Sequence, residues 1–302
     1  MKTSNQTYYT GFFLVFFAGI FWSFGAPTVR YMTNAHEYVF QYLFYRGFAI
    51  SFILIFYLIL REGNLFYKNF FKVGISGILG GIFLSTAFIG FIYSITMTSA
   101  AVTLFMLAAM PFIAAIVGYF VLGEKLRSLT LVSMVIAFIG VLIMIYNDSI
   151  GGSVLGAFLG FLSATGFAFY TVTIRWKPET PKFTTVVLAG LFCSIFSFFV
   201  LGFSFKPFNT MPIANSYLSL LHGSLVASGL ILYSLGAKYL PSAELALLSL
   251  MEVVGGVLWV WLPLFGINEE PSLTVILGGI VITGAVVIHA FGAKKNRQPV
   301  TL

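Results

Sequence analysis

The sequence predicts an all-α membrane protein with ten transmembrane helices, arranged as two inverted five-helix repeats. Three observations predict it: a composition too apolar for water, ten apolar runs of membrane-spanning length, and basic residues gathered on one side. Of 302 residues, 59% are hydrophobic and 8% charged, with a mean hydropathy of +1.00. A soluble domain carries about 25% charged residues, so this chain cannot cover its own surface with polar groups. Lipid removes that need, provided each backbone N–H and C=O is satisfied within the protein. The unbroken apolar runs far exceed the ~10-residue alternating strands of an outer-membrane barrel, and so specify helices. The net charge of +7 lies in short loops between apolar runs, which makes it a topological signal and excludes a nucleic-acid footprint. Cys193, the single cysteine, sits inside an apolar run and reads as packing.

A helix needs about 20 residues to cross the hydrocarbon core. Spans are predicted at residues 9–31, 37–60, 73–96, 99–121, 129–147, 153–175, 184–203, 216–238, 242–264 and 273–291. The first is longer than the ~7–15-residue core of a signal peptide and is followed by further spans, so it reads as an uncleaved first helix. The connecting loops are short and leave no room for a soluble domain, which argues against a receptor or sensor kinase.

Orientation follows from the basic residues. With the N-terminus inside, thirteen of the 16 Lys and Arg lie on the cytoplasmic side, Arg30 and Lys206 lie outside, and Arg46 falls within the second span. The positive-inside rule then places both termini in the cytoplasm of a multi-pass inner-membrane protein.

The two halves, 1–150 and 151–302, align. Gly11, Phe13, Leu14, Phe16, Phe24, Thr28 and Arg30 match Gly156, Phe158, Leu159, Phe161, Phe169, Thr173 and Arg175 at an offset of 145. Ser128, Leu129, Thr130 and Gly140 match Ser272, Leu273, Thr274 and Gly284 at an offset of 144. Five spans is an odd number, so the second half must be inverted relative to the first. Inverted repeats are the architecture of secondary transporters, with the substrate near the midplane between them.

The stretch TSAAVTLFMLAAMPFIAAIVGYFVLGEKL at residues 98–126 places small residues at a helix start, a proline in mid-span and Gly123-Glu124 at the close. PSAELALLSLMEVVGGVLWVWL at residues 241–262 looks like its second-half copy. These segments resemble the EamA-type members of the drug/metabolite transporter superfamily, whose layout is also ten spans in two repeats. That pattern often has an acid before the mid-span proline. Here the first half has Met110-Pro111, and the second keeps the acid as Glu252 but has Val253 in place of proline. The resemblance implies transport of amino acids, their derivatives, or other small polar or aromatic metabolites.

Ionisable groups inside the membrane cost about 2.5–3.5 kcal/mol or more at the bilayer centre and mark function by default. Arg46 and Glu252 lie near mid-span. Arg46 can hold a substrate carboxylate; Glu252 can hold an amine or exchange a proton. Alternatively, the two pair with each other or with backbone carbonyls and hold helices together. Trp22, Tyr42, Tyr45, Tyr93, Tyr170 and Tyr233 combine a ring with a polar group inside a span and are candidate pocket residues. Ser23 and Ser249 offer hydroxyls to a zwitterion. Pro27 and Pro111 remove backbone donors in mid-membrane and are candidate gate elements, with a static kink as the alternative. His222 and His289 fall nearer predicted span ends and read as interfacial or packed, and Trp259 as an interfacial anchor.

The expectation is a secondary carrier for amino acids or their derivatives, working by alternating access around a central cavity. Its partners would be a small-molecule substrate, the lipid bilayer and a proton as coupling ion, with no nucleic acid, no cofactor and no metal, in a monomer or weak homodimer. A carrier of the same superfamily for nucleoside or nucleotide derivatives, polyamines, quaternary amines or organic cations is the alternative. An intramembrane enzyme would need a polar reaction centre, and the sequence carries no H-E-x-x-H, Walker or dinucleotide motif. A channel would need a filter-like polar loop.

Overall fold

The computed structural model describes residues 4–97, 103, 106–107, 109–145, 154–177, 179–203, 210–267 and 273–292, and all regular structure among them is helical. In the first half these are α1 (Ser4–Ser23), α2 (Gly25–Arg30), α3 (Val39–Glu62), α4 (Lys68–Lys72), α5 (Gly74–Met97), α6 (Met110–Leu122) and α7 (Ser128–Ile145). In the second they are α8 (Val154–Trp176), α9 (Lys182–Phe203), α10 (Ile213–Gly236), α11 (Ser242–Ser249), α12 (Met251–Trp261) and α13 (Leu273–Gly292).

Large apolar side chains cover the outer faces, among them Phe52, Phe56, Leu60, Phe71 and Phe120, while Arg46, Glu244 and many hydroxyls are buried. A water-soluble protein sorts its residues the other way, so this surface suits lipid. Among the described residues six helices are long and apolar enough to cross a membrane: Gln6–Arg30, Ala35–Leu65, Gly74–Met97, Val154–Trp176, Lys182–Gly202 and Ile213–Gly236. The chain is a multi-pass membrane protein.

Of the other four expected spans, the fifth and tenth are the single helices α7, of 18 residues, and α13, of 20, and the fourth and ninth are divided. Among the described residues of the fourth, Thr103, Met106 and Leu107 are helical, Ala109 is a turn, and α6 runs from Met110 to Leu122. Pro111 stands in the first turn of α6, just after the turn at Ala109, rather than in mid-helix as its position in the span suggested. The ninth span is divided at Leu250 between α11 and α12. No proline does this. Ser249 donates its hydroxyl to the Ala246 carbonyl (2.7 Å), and the Leu250 and Val253 N–H groups bond three residues back, to Leu247 and Leu250. Those i−3 bonds tighten one turn and break the α-helical ladder. The first span is divided at Phe24, one turn before Pro27, whose ring leaves the Ser23 carbonyl without its usual i+4 donor.

α3 packs along α9, α5 along α8 and α7 along α13; α10 lies against α1 and α3; α9 also touches α5. α6 lies against α8 and α11, and α1 against α11 and α12. Glycines set the tightest approaches. A Cβ on Gly166 of α8 would sit 2.6 Å from the Phe83 carbonyl of α5, and one on Gly47 of α3 2.7 Å from the Gly190 carbonyl of α9. Such small-residue contacts are how helices associate where lipid supplies no hydrophobic drive. Gly77 and Gly81, four residues apart on α5, make close contacts with Thr185 and Leu188 of α9.

Candidate functional site

A cavity of ≈ 60 Å³, counted as the space open to the centre of a water molecule, lies where α1, α3, α5, α6, α8 and α10 to α12 converge. Its walls are mainly apolar, from Phe88, Phe91, Met110, Phe167 and Leu230, and its polar groups are Arg46, Ser163, His222, Ser249 and Glu252.

Arg46 and Glu252 both line this space, yet no ion pair joins them. The Arg46 side chain is buried, its Nε and Nη1 have no hydrogen-bond partner, and its guanidinium lies 4.8 Å over the Phe88 ring. Among the described residues the Glu252 carboxylate makes no hydrogen bond or ion pair either, and it projects from the first turn of α12 just beyond the divided turn. Of the two alternatives for these charges, the pairing with each other is therefore absent.

The hydroxyls have used their protons. Ser249 donates to Ala246, and Ser163 donates 2.9 Å to the Ala87 carbonyl, so each presents lone pairs to the cavity. Trp22 donates its indole N–H to the Val226 carbonyl at 3.3 Å, which leaves its ring as the lining surface. The cavity is thus polarised. Donors come from α3 and α10, and acceptors from α8, α11 and α12.

Among the expected pocket residues, Trp22, Arg46, Ser249 and Glu252 meet at the cavity. Tyr42 is fully buried behind it and bonds His222 Nδ1 through its hydroxyl. Tyr170 and Tyr233 lie beyond the cavity in an aromatic layer with Phe167 and Trp22, with centroids 5.3–6.3 Å apart. Their hydroxyls bond Ser234 and Thr171. Tyr45 and Tyr93 do not line the cavity: Tyr45 packs edge-on against Phe44, and Tyr93 against Phe40. Ser23 also turns away from it. It donates to the Ile20 carbonyl (2.6 Å) and accepts the Trp259 indole N–H (2.7 Å), so Trp259 ties α12 to α1 instead of serving only as an interfacial anchor. Pro27 and Pro111 are not in the lining, although Met110 is. His222, read as interfacial or packed, is packed: it stands ten residues into α10, buried, with its ring in the cavity wall.

Residues 9–146 match the model of the EamA-like transporter family. The first half of the chain is thus similar to that family. The chain is 27% identical over 245 residues to an uncharacterised transporter of Clostridium kluyveri, covering 74% of this chain and 73% of that one. A solved crystal structure superposes with a TM-score of 0.72 at 16% identity, over 96% of this chain and 100% of that one, which establishes a shared fold.

The glutamate that closes the α6 segment has a structural partner. Gly123 adopts the left-handed conformation (φ 66°), so Glu124 turns back and its N–H reaches the Gly118 carbonyl. Its Oε1 then takes Arg175 Nε and Nη2, each at 2.8 Å, and its Oε2 takes the Ser242 N–H at 2.9 Å. Arg175 Nη1 donates to the carbonyls of Ala237 (2.7 Å) and Leu240. One arginine at the end of α8 therefore joins the α6–α7 turn to the α10–α11 turn. The charge count had read Arg175 only as a cytoplasmic marker. Beside this latch, Arg127 lies 4.0 Å from the buried Glu244.

Proposed function

We propose that the protein is a secondary carrier for small zwitterions, foremost α-amino acids and their derivatives, working by alternating access in the bacterial inner membrane. The observation that carries this reading is the pair of unpartnered opposite charges in one cavity. A buried guanidinium and a carboxylate that decline each other are a costly arrangement in an empty site, and a ligand bearing both charges complements each. The carboxylate goes to Arg46, in the bidentate geometry that guanidinium favours, and the ammonium to Glu252, Ser249 and Ser163. Trp22, Phe88 and Phe167 receive the side chain. Glu252, the one cavity carboxylate among the described residues, favours protons as the coupling ion. An organic cation or polyamine is disfavoured by Arg46 in the same wall.

The two five-span halves are read as inverted repeats, 1–150 and 151–302. Helix pairing supports this. Exchange each first-half helix for its second-half counterpart: α5–α8 becomes α10–α1, and α3–α10 becomes α9–α5. Likewise α6–α8 becomes α11/α12–α1, while α3–α9, α6–α11 and α7–α13 map onto themselves. A two-fold axis generates such a set. The left-handed glycines Gly123 and Gly266, each with φ 66°, close the corresponding segments. With both termini cytoplasmic, the aromatic layer and the Arg175–Glu124 latch lie on the cytoplasmic side of the cavity, so opening that side means undoing both.

Counterflow in proteoliposomes tests the function. Vesicles loaded with unlabelled amino acid should accumulate the labelled one transiently and saturably, and an imposed proton gradient should change the extent. Flux without saturation would point to a channel, and chemical alteration of the solute to an enzyme.

A further inference from the structure

We propose that His222 is a second anchor for the substrate's carboxylate, held by Tyr42 as the tautomer that donates from Nε2. This deepens the zwitterion reading above and rests on it. Tyr42 is fully buried, and His222 Nδ1 is the partner of its hydroxyl. If Nδ1 carried the ring proton, the Tyr42 O–H would have no acceptor among its described neighbours, a buried donor left empty. The satisfied arrangement has Tyr42 donating to Nδ1, which puts the imidazole proton on Nε2.

That nitrogen has no hydrogen-bond partner among the described residues. The ring lines the cavity, and Nε2 points toward the bare Cα of Gly25, where an added Cβ would stand 2.7 Å from it. Gly25 follows the division of the first span, so the break leaves room for the imidazole edge. On the adjoining helix, Gly223 next to His222 packs on the Arg46 backbone, with 2.5 Å from its would-be Cβ to the Arg46 carbonyl. The imidazole and guanidinium therefore come from neighbouring points of α10 and α3. Arg46 Nε and Nη1 and His222 Nε2 are three N–H donors without an acceptor, set in one corner of an apolar cavity. The corner fits two oxygens of one carboxylate. A primary amide fits worse, because its NH₂ would meet a donor.

The test compares carboxylates with their amides. Affinities of purified protein for L-leucine, L-methionine and L-phenylalanine, and for their primary amides, give a carboxylate-to-amide ratio that general damage to the fold does not move. His222→Leu should lower that ratio about tenfold, the weight of a charge-assisted hydrogen bond. His222→Gln, whose amide N–H can reach the same point, should keep it within about threefold of wild type. Tyr42→Phe frees Nδ1 to take the proton, turns Nε2 into an acceptor and should lower the ratio at least threefold. An unchanged ratio in folded His222→Leu overturns the proposal while leaving the zwitterion reading intact. Should His222→Leu not yield monodisperse protein, Tyr42→Phe decides in the same way. Wild-type protein that binds none of the six compounds overturns both readings together.

Discussion

Arg46 holds a full charge in a buried position with a single favourable contact, the Phe88 face, worth about 0.5–2 kcal/mol. An isolated ion at that depth costs more than this returns. An apolar residue there would make the empty protein more stable, and on the zwitterion proposal the substrate carboxylate is the missing counter-charge. Arg46→Met should leave the melting temperature of the ligand-free protein unchanged or raise it, and should abolish the shift that an amino acid induces. A ligand-induced shift equal to wild type in Arg46→Met would remove Arg46 from the site. Glu252→Gln should weaken amino-acid transport by about tenfold or more and flatten its dependence on an imposed proton gradient, read as initial counterflow rates. Both charges were legible in the sequence because an ion inside an apolar run has few structural uses. The aromatic residues were not, because a ring in a span does not announce its face. Tyr42 stands four residues before Arg46 and shares its side of α3, whereas Tyr45, one residue before it, points about 100° away. The depth of His222 was not legible for a different reason: α10 begins at Ile213, earlier than the hydropathy of the segment suggested, and this moves the packed ring toward mid-helix.

At the scale of elements, divided helices and one latch do most to shape the site. The divided turn at Leu250 places Ser249 and Glu252 on either side of a break, which no proline or glycine signals. Its cause is a serine back-bond and two i−3 bonds, and a sequence pattern does not reveal these. The break at Phe24 is easier to read, since Pro27 forces it. The latch was written in the sequence as a Gly-Glu pair and a terminal arginine 52 positions after Gly123, with nothing local to connect them. Arg175→Gln should release the α10–α11 turn and bias the protein toward a state open to the cytoplasm. A cysteine at Ser249, in a Cys193→Ser background, should then react with an impermeant maleimide in inside-out vesicles about tenfold faster than with the latch intact, the change expected for a shift of about 1.4 kcal/mol between two states. Equal labelling with and without Arg175 would rule the latch out as a gate. Glycine contacts answer to stability instead: Gly166→Leu drives a side chain into the Phe83 backbone and should cost more than about 1–3 kcal/mol, seen as a lower melting temperature in detergent.

For the whole molecule, the lipid-facing apolar surface and buried polar interior were already implied by composition, and the helix-pair exchange supports the proposed repeat. What remains is parity. An odd number of spans in the first half puts the join between halves on the opposite side from both termini, whereas an even number puts all three together. The charge count places Lys2 and the Lys294, Lys295, Arg297 group in the cytoplasm and leaves the stretch around residue 150 without a basic residue between Arg127 and Arg175. Fusions to alkaline phosphatase, active only outside, and to a fluorescent protein, bright only inside, separate the cases. A reporter after residue 150 should give high phosphatase activity and no fluorescence, and one after residue 302 the reverse. Fluorescence at both points would mean an even number of crossings before residue 150. The halves would then be parallel, the exchange of helix pairs would lose its two-fold axis in the membrane plane, and alternating access would lose its structural basis.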